Sequence, residues 1–307
     1  MSEQQTAQAA PSQERQPGSL DPSFLDLSIA VAIILAGNTE TLVWMSVHFE
    51  SHEEFSHGWL VPLISGYLIW TDRDKLNPRW VRDATRPALA LLSLALLVHF
   101  AGRYLGLHVL SGYAMVVELF AAVLYFMGRE NAMKLAFPIG YLAFMVPFVF
   151  IMPLQLPMQA AATTAAAMVL SFFGIETSHA GVQLATSNFK LVVEKACSGQ
   201  QSLIALTALA TLFSYMMPGA LWKKAVFVIA AMPVALIANV GRIVTTAILG
   251  HVFGGSVTEG LLHEAFGGLV FLFAFVIMFL IWAILTPDKK EPATPQSSSP
   301  SSAESAS

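Results

Sequence analysis

The chain has 307 residues, 55% of them hydrophobic and only 12% charged, with a mean hydropathy of +0.63. Soluble domains carry about a quarter charged residues, so this composition excludes an ordinary soluble protein and points to one built into a membrane. A formal net charge of −4 leaves no broad basic surface for nucleic acid, and a single cysteine excludes an intrachain disulfide or a cysteine-based metal cluster.

Residues 1–24 are polar and lack the basic-then-apolar order of a signal peptide, so they read as a disordered cytoplasmic arm. The apolar stretches 27–47, interrupted by Glu40, and 58–70 with its preceding turn read as the first two spans, since a bilayer needs about 20 apolar residues per helix. The connection between them holds His48, Glu50, His52, Glu53, Glu54 and His57 and no Lys or Arg, whereas 72–86 holds Arg73, Lys75, Arg79, Arg82 and Arg86. An excess of basic residues in a short loop marks the cytoplasmic side. The amino terminus is therefore expected inside and the His/Glu loop outside. Further spans are expected at 88–102, 113–127 and 135–153, with Arg103 outside and Arg129 and Lys134 inside.

The segment 154–175 is rich in Ala and Thr and follows Pro147 and Pro153. A crossing there would put Lys223 and Lys224 outside, so the expectation is an interfacial or re-entrant helix. Residues 181–193 alternate apolar and polar side chains around Thr186-Ser187-Asn188, the pattern of a β-hairpin. Spans at 200–217, 225–240 with a kink at Pro233, and 262–285 complete the set, and the Ser/Pro-biased 287–307 reads as a cytoplasmic tail. The expected fold class is an all-α polytopic membrane protein of about eight transmembrane helices, with its hairpin and interfacial helix on the extracytoplasmic face and 25–286 as its body.

Cys197 lies in Glu194-Lys195-Ala196-Cys197-Ser198-Gly199-Gln200-Gln201, where a polar strand-like stretch gives way to an apolar helix. A thiol at a first helical turn has its thiolate stabilised by unpaired backbone amides and the helix dipole. Arg242 follows Ala225 by 17 residues, about 26 Å of helix, which brings it near the outer boundary. Asn239 precedes it on the same face, and His263 opens the last span. Cysteine, arginine and histidine at one depth suit acyl transfer to a thiol: the imidazole moves the proton, and the guanidinium stabilises the oxyanion. The bland alternatives are a buried thiol acting as a small hydrophobe, an arginine reaching head groups, and a helix-start His263–Glu264 pair. Glu118 and His99 read as a structural pair across two spans, with a transporter-like path through Glu40, Glu118 and His99 as the competing class. The irregular spacing of the His/Glu loop favours a solvated acidic surface, so neither a metal nor any other cofactor is expected.

Beyond these residues the chain resembles the exosortase/archaeosortase family of membrane cysteine transpeptidases. The resemblance runs from about Phe55 to Leu285, through Phe55-Ser56-His57-Gly58-Trp59-Leu60-Val61-Pro62, Ala196-Cys197-Ser198-Gly199, Asn239-Val240-Gly241-Arg242 and His263. It implies Cys197 as nucleophile, Arg242 as transition-state stabiliser and His263 as acid/base, with Asn239, Ser198, Gly199 and Glu194 supporting. Relatives often carry the acid directly before Ala-Cys-Ser-Gly, where this chain has Lys195 with Glu194 one position earlier. The implied partners are exported proteins ending in a Pro-Glu-Pro-like sorting signal, membrane lipid, and an acceptor nucleophile the sequence does not identify. The implied location is the bacterial cytoplasmic (inner) membrane, with both termini cytoplasmic and the active site extracytoplasmic. A protease without transfer shares the same nucleophile.

Overall fold

The computed structural model describes residues 22–77, 82–147, 153, 155–187, 190–192, 199–254 and 261–286. Helix α1 (Pro22–Gly37) meets α2 (Thr39–Ser51) at Asn38, whose φ of −97° and ψ of 11° are non-helical, and the two axes differ by 65°. A 3₁₀ turn (Glu53–Trp59) leads into α3 (Leu60–Asp72). Helices α4 (Thr85–Tyr104) and α5 (His108–Lys134) form an extensively packed hairpin, and α5 also supports α1. The short α6 (Ala136–Tyr141) packs on α3 and α5.

The second half comprises α7 (Gln155–Phe172), three short strands, α8 (Gln200–Met216), α9 (Leu221–Phe253) and α10 (Leu261–Leu285). The strands β1 (Thr177–Ala180), β2 (Gln183–Thr186) and β3 (Lys190–Val192) form an antiparallel sheet in the order β1-β2-β3. The expected hairpin is its β2–β3 half, with Leu184 opposite Leu191. The additional strand β1 pairs Thr177 with Thr186 and turns at Gly181, whose φ is +59°.

Among the described residues, four helices are long and apolar enough to cross a membrane: α4, α5, α9 and the Gly268–Leu285 part of α10. The bent pair α1–α2 makes a fifth if it is one span. The expectation of about eight crossings is not met by helix length. The stretches 58–70 and 200–217 form helices of 13 and 17 residues, short of the roughly 20 a straight span needs, and 135–153 contains an apolar helical segment of only Ala136–Met145. Averaged hydropathy reports how apolar a stretch is and does not see where its helix stops. The polytopic, mainly helical architecture stands.

Two packed layers meet on α8. Its face carrying Leu206 and Ala210 packs on Phe227, Ala231 and Ala274 of α9 and α10. Its other side meets the first half, where Tyr141 Oη donates to Ala208 O at 3.3 Å and Tyr215 stacks on Phe137 at 3.9 Å. At the far end of α8, Tyr215 Oη donates to Asp72 Oδ2 at 2.6 Å, and Lys75 pairs with the same carboxylate. Burial pushes the Asp72 pKa up, but the hydrogen bonds from Lys75 and Tyr215 and the Lys75 charge outweigh it, leaving a net lowered pKa.

Candidate active site

Helix α8 begins at Gly199, whose φ of +76° lies in the left-handed region that favours glycine. Its carbonyl accepts the Leu203 amide at 2.9 Å. Among the described residues no side chain caps this end, and helix geometry leaves the amides of a first turn without intrahelical acceptors. Gly199 is also a point of close approach: a β-carbon there would stand 3.1 Å from Cβ and Cγ of Asn239 and 3.2 Å from its Nδ2. Asn239 is buried on α9, three residues before Arg242. The Ala-Cys-Ser-Gly and Asn-Val-Gly-Arg elements, 40 residues apart along the chain, therefore touch through Gly199 and Asn239.

The α9 segment that carries Arg242 is enclosed from two more sides. Ile243, Val244 and Ala247 pack against Ala162, Ala166 and Leu170 of α7 and Leu184 of β2. His251, two turns beyond Arg242, lies 3.2 Å through Nδ1 from Thr186 Oγ1 at the end of β2. The sheet thus rests on the helical turns that follow Arg242. Arg242 is partly buried and, like Asn239 and Gln200, is held by an interaction of its own.

The His/Glu loop comes to the same end of α8, because Gln201 Nε2 donates to Glu53 O at 3.3 Å. It is not only a solvated acidic surface. Phe55 is 2% exposed, and Gly58 is covered by the Phe49 ring so closely that a β-carbon would stand 2.3 Å from Cε1. His57 Nε2 is buried without a hydrogen-bond partner. Desolvation holds the His57 pKa below its usual value, opposed by backbone groups of Phe144 and Glu54. The ring borders a cavity of about 530 Å³ lined mostly by apolar side chains, among them Phe55, Phe144, Leu203, Ile204, Val228 and Met232. The cavity starts at the first turn of α8 and runs between α8 and α9. The only hint of this in the sequence is that Phe55 and Gly58, which bury, follow the acidic run directly.

Of the predicted site residues, the structure brings together Gly199 and Asn239, with Arg242 one helical turn further along α9. Cys197, Ser198 and Glu194 lie outside the described residues. His263 belongs to the first turn of α10, and its backbone alone is described. Among the described residues, no three His, Cys, Asp or Glu side chains converge to hold a metal ion.

No curated protein and no solved structure matches this chain. A family profile does: residues 44–280 match transmembrane exosortase, from the last turns of α2 to the last turns of α10. The match includes both motif segments that meet at Gly199 and Asn239 and covers well over half of the sequence, and the chain belongs to the transmembrane exosortase family.

Proposed function

We propose that this protein is a cysteine transpeptidase that sorts exported proteins at the outer face of the cytoplasmic membrane. In this reading the Cys197 thiolate adds to a peptide carbonyl, Arg242 stabilises the resulting oxyanion, and His263 gives a proton to the departing amine. The products of this step are a thioester on Cys197 and a freed carboxy-terminal fragment. An acceptor amine then attacks the thioester, His263 takes its proton, and the thiolate is regenerated. Water in the acceptor's place would give a hydrolase instead.

The observation that carries this reading is the Gly199–Asn239 contact, which ties the cysteine-bearing segment to the arginine-bearing helix. The apolar cavity lined by Leu203, Ile204, Val228 and Met232, one helical turn beyond Gly199 along α8, suits the hydrophobic part of a carboxy-terminal sorting signal. The substrate class, exported proteins with a Pro-Glu-Pro-like motif followed by a transmembrane helix and basic residues, comes from the family resemblance. The orientation, with both termini in the cytoplasm, comes from the placement of basic loops. The experiment is co-expression with a secreted reporter carrying such a tail. Wild-type protein should remove the tail, and Cys197→Ala should insert and fold equally well with no removal. Mass spectrometry of the new carboxy terminus separates transfer from hydrolysis. Tail removal by the alanine variant at the wild-type rate ends the thiol mechanism.

A further inference from the structure

The first half of the molecule contains a polar cluster that the transpeptidase chemistry does not use. Asn38, His99 and Glu118 come from the α1–α2 bend, α4 and α5, and are 2%, 3% and 1% exposed. Both amide hydrogens of Asn38 are engaged, Nδ2 donating to Ile34 O at 2.9 Å and to Glu118 Oε2 at 2.8 Å. That network orients the amide and leaves Asn38 Oδ1 as an acceptor. Three buried atoms of this cluster have no hydrogen-bond partner among the described residues: Asn38 Oδ1, Glu118 Oε1, and His99 Nδ1, which stands 3.8 Å from Glu118 Oε1. Leaving a buried polar atom unmatched is costly, and buried polar groups in a membrane bundle face protein partners or a cavity.

Here they face a cavity of about 580 Å³. Helices α1 and α4 both pack on α5, and the space is the cleft between them, with Ala121 and Ala122 of α5 among its lining residues. Its flanks are apolar and outward-facing: Ile33 is 66% exposed and Phe100 is 62% exposed. The lining is graded along α4. His99 and Arg103, the latter paired with Glu40, lie toward one end, while Leu92 and Leu89 lie about 10 Å and 15 Å further along the helix.

Volume selects the occupant. A helix about 10 Å across fills roughly 400 Å³ per turn, so the cleft accepts little more than one turn of a partner helix, whereas small-ligand sites span about 300–1,000 Å³. Two unmatched oxygen acceptors on lining residues call for a donor, and the apolar remainder calls for a hydrocarbon chain. We propose that the α1–α4 cleft is a lipid site holding one membrane amphiphile, its chain along Leu89, Leu92 and Ile33, and an N–H or O–H of its head group bonded to Glu118 Oε1 and Asn38 Oδ1. The site stands independently of the thiol chemistry.

The test uses the full chain in phosphatidylcholine nanodiscs, with trace lipids carrying a diazirine in the acyl chain. The head group is ethanolamine (an ammonium donor), glycerol (hydroxyl donors) or choline (neither). One charge-assisted hydrogen bond corresponds to about a tenfold difference or more in occupancy. The ethanolamine probe, the glycerol probe or both should therefore label α1 and α4 peptides at least about tenfold above the choline probe, and the stronger of the two identifies the donor. Glu118→Gln should reduce that labelling to the choline level, and Leu92→Trp should block the cleft without touching its polar end. Equal labelling by all three probes in the wild-type chain means ordinary annular lipid, and no labelling of the cleft means that water alone satisfies the cluster. Either result overturns the proposal, whether or not the variants fold.

Discussion

The two ends of α8 are built on opposite principles. At its finish, Tyr215 is fixed by the Asp72 carboxylate, Lys75 and the Phe137 ring, so every polar atom named there has a partner. At its start, a glycine in the left-handed region lies against Asn239, no side chain among the described residues caps the helix, and an apolar cavity is lined by α8 from Leu203 onward. One end secures the helix to the first half of the molecule. The other brings the backbone close to α9, in the very segment that follows the only cysteine. A helix held at one end by a carboxylate and an aromatic stack can bring a glycine at its start against a neighbouring helix without losing its register.

If this division holds, substitutions at the start of α8 and around Arg242 should lower activity, and substitutions at its finish should lower stability without changing activity. The largest expected effect after loss of the thiol is Arg242→Lys. A lysine keeps the charge but lacks the planar fork of donors, and losing a positioned oxyanion donor costs on the order of 10²–10³ in rate. Tail removal should slow by at least about a hundredfold while insertion and thermal stability stay near wild type. Near-normal activity would show that Arg242 serves only as an anchor.

Gly199→Ala comes next. Its β-carbon meets Asn239 at 3.1 Å in a backbone conformation that costs an L-residue about 1–2 kcal/mol. The alanine variant should lose roughly tenfold in processing rate, a typical consequence of small displacements at a reacting centre. Asn239→Ser in the same chain should restore part of it by making room. No rescue would place the defect in the glycine conformation alone.

The smallest effect belongs to the fixed end. Tyr215→Phe removes one hydrogen bond to a charged group, worth about 1.5–3 kcal/mol, and should lower thermal stability without changing processing. The Asp72 pKa is depressed in the folded state, so its contribution is present above the unfolded value near 3.8 and fades as pH falls through the lower, folded value. Acid unfolding followed by tryptophan fluorescence should consequently show a smaller Tyr215→Phe deficit below about pH 4. A deficit that persists unchanged in acid would uncouple Tyr215 from Asp72.

Periodic and compositional signals carried some parts of this architecture and not others. The α4–α5 hairpin, α9, α10 and the β2–β3 hairpin were legible, because long apolar runs bounded by basic loops and a short alternating stretch each have one dominant reading. The α1–α2 bend was not read, although Asn38-Thr39-Glu40 inside an apolar run is the composition of a helix restart. The shortness of α3 and α8 was already in the sequence: the stretches 58–70 and 200–217 lie between polar or Pro-Gly flanks and hold only 13 and 18 residues, fewer than the roughly 20 a straight span needs. Strand β1 lies in Thr177-Ser178-His179-Ala180, which lacks the alternation of its neighbour. At the site, spacing could give shared depth for Cys197, Arg242 and His263 but not the lateral contact between Gly199 and Asn239, which depends on how α8 and α9 pack. The burial of Phe55 and the cavity beside His57 are likewise products of tertiary packing.

Helix α9 is 33 residues long, about 50 Å, against a hydrocarbon layer of about 30 Å. Trp222, Lys223 and Lys224 suit its first turn to a head-group layer, so even with moderate tilt the surplus falls on its far turns. Those turns carry Arg242 and bear the sheet and α7, so the helix acts as a mast that holds this superstructure at a fixed distance from the Trp222–Lys224 turn. Its height and bearing are linked: each residue added between Lys224 and Asn239 would lift the superstructure by about 1.5 Å and swing it by about 100°. A single insertion would thus carry Asn239 away from Gly199 altogether, so the waterline of the site and its internal alignment are set by one number, the length of that stretch.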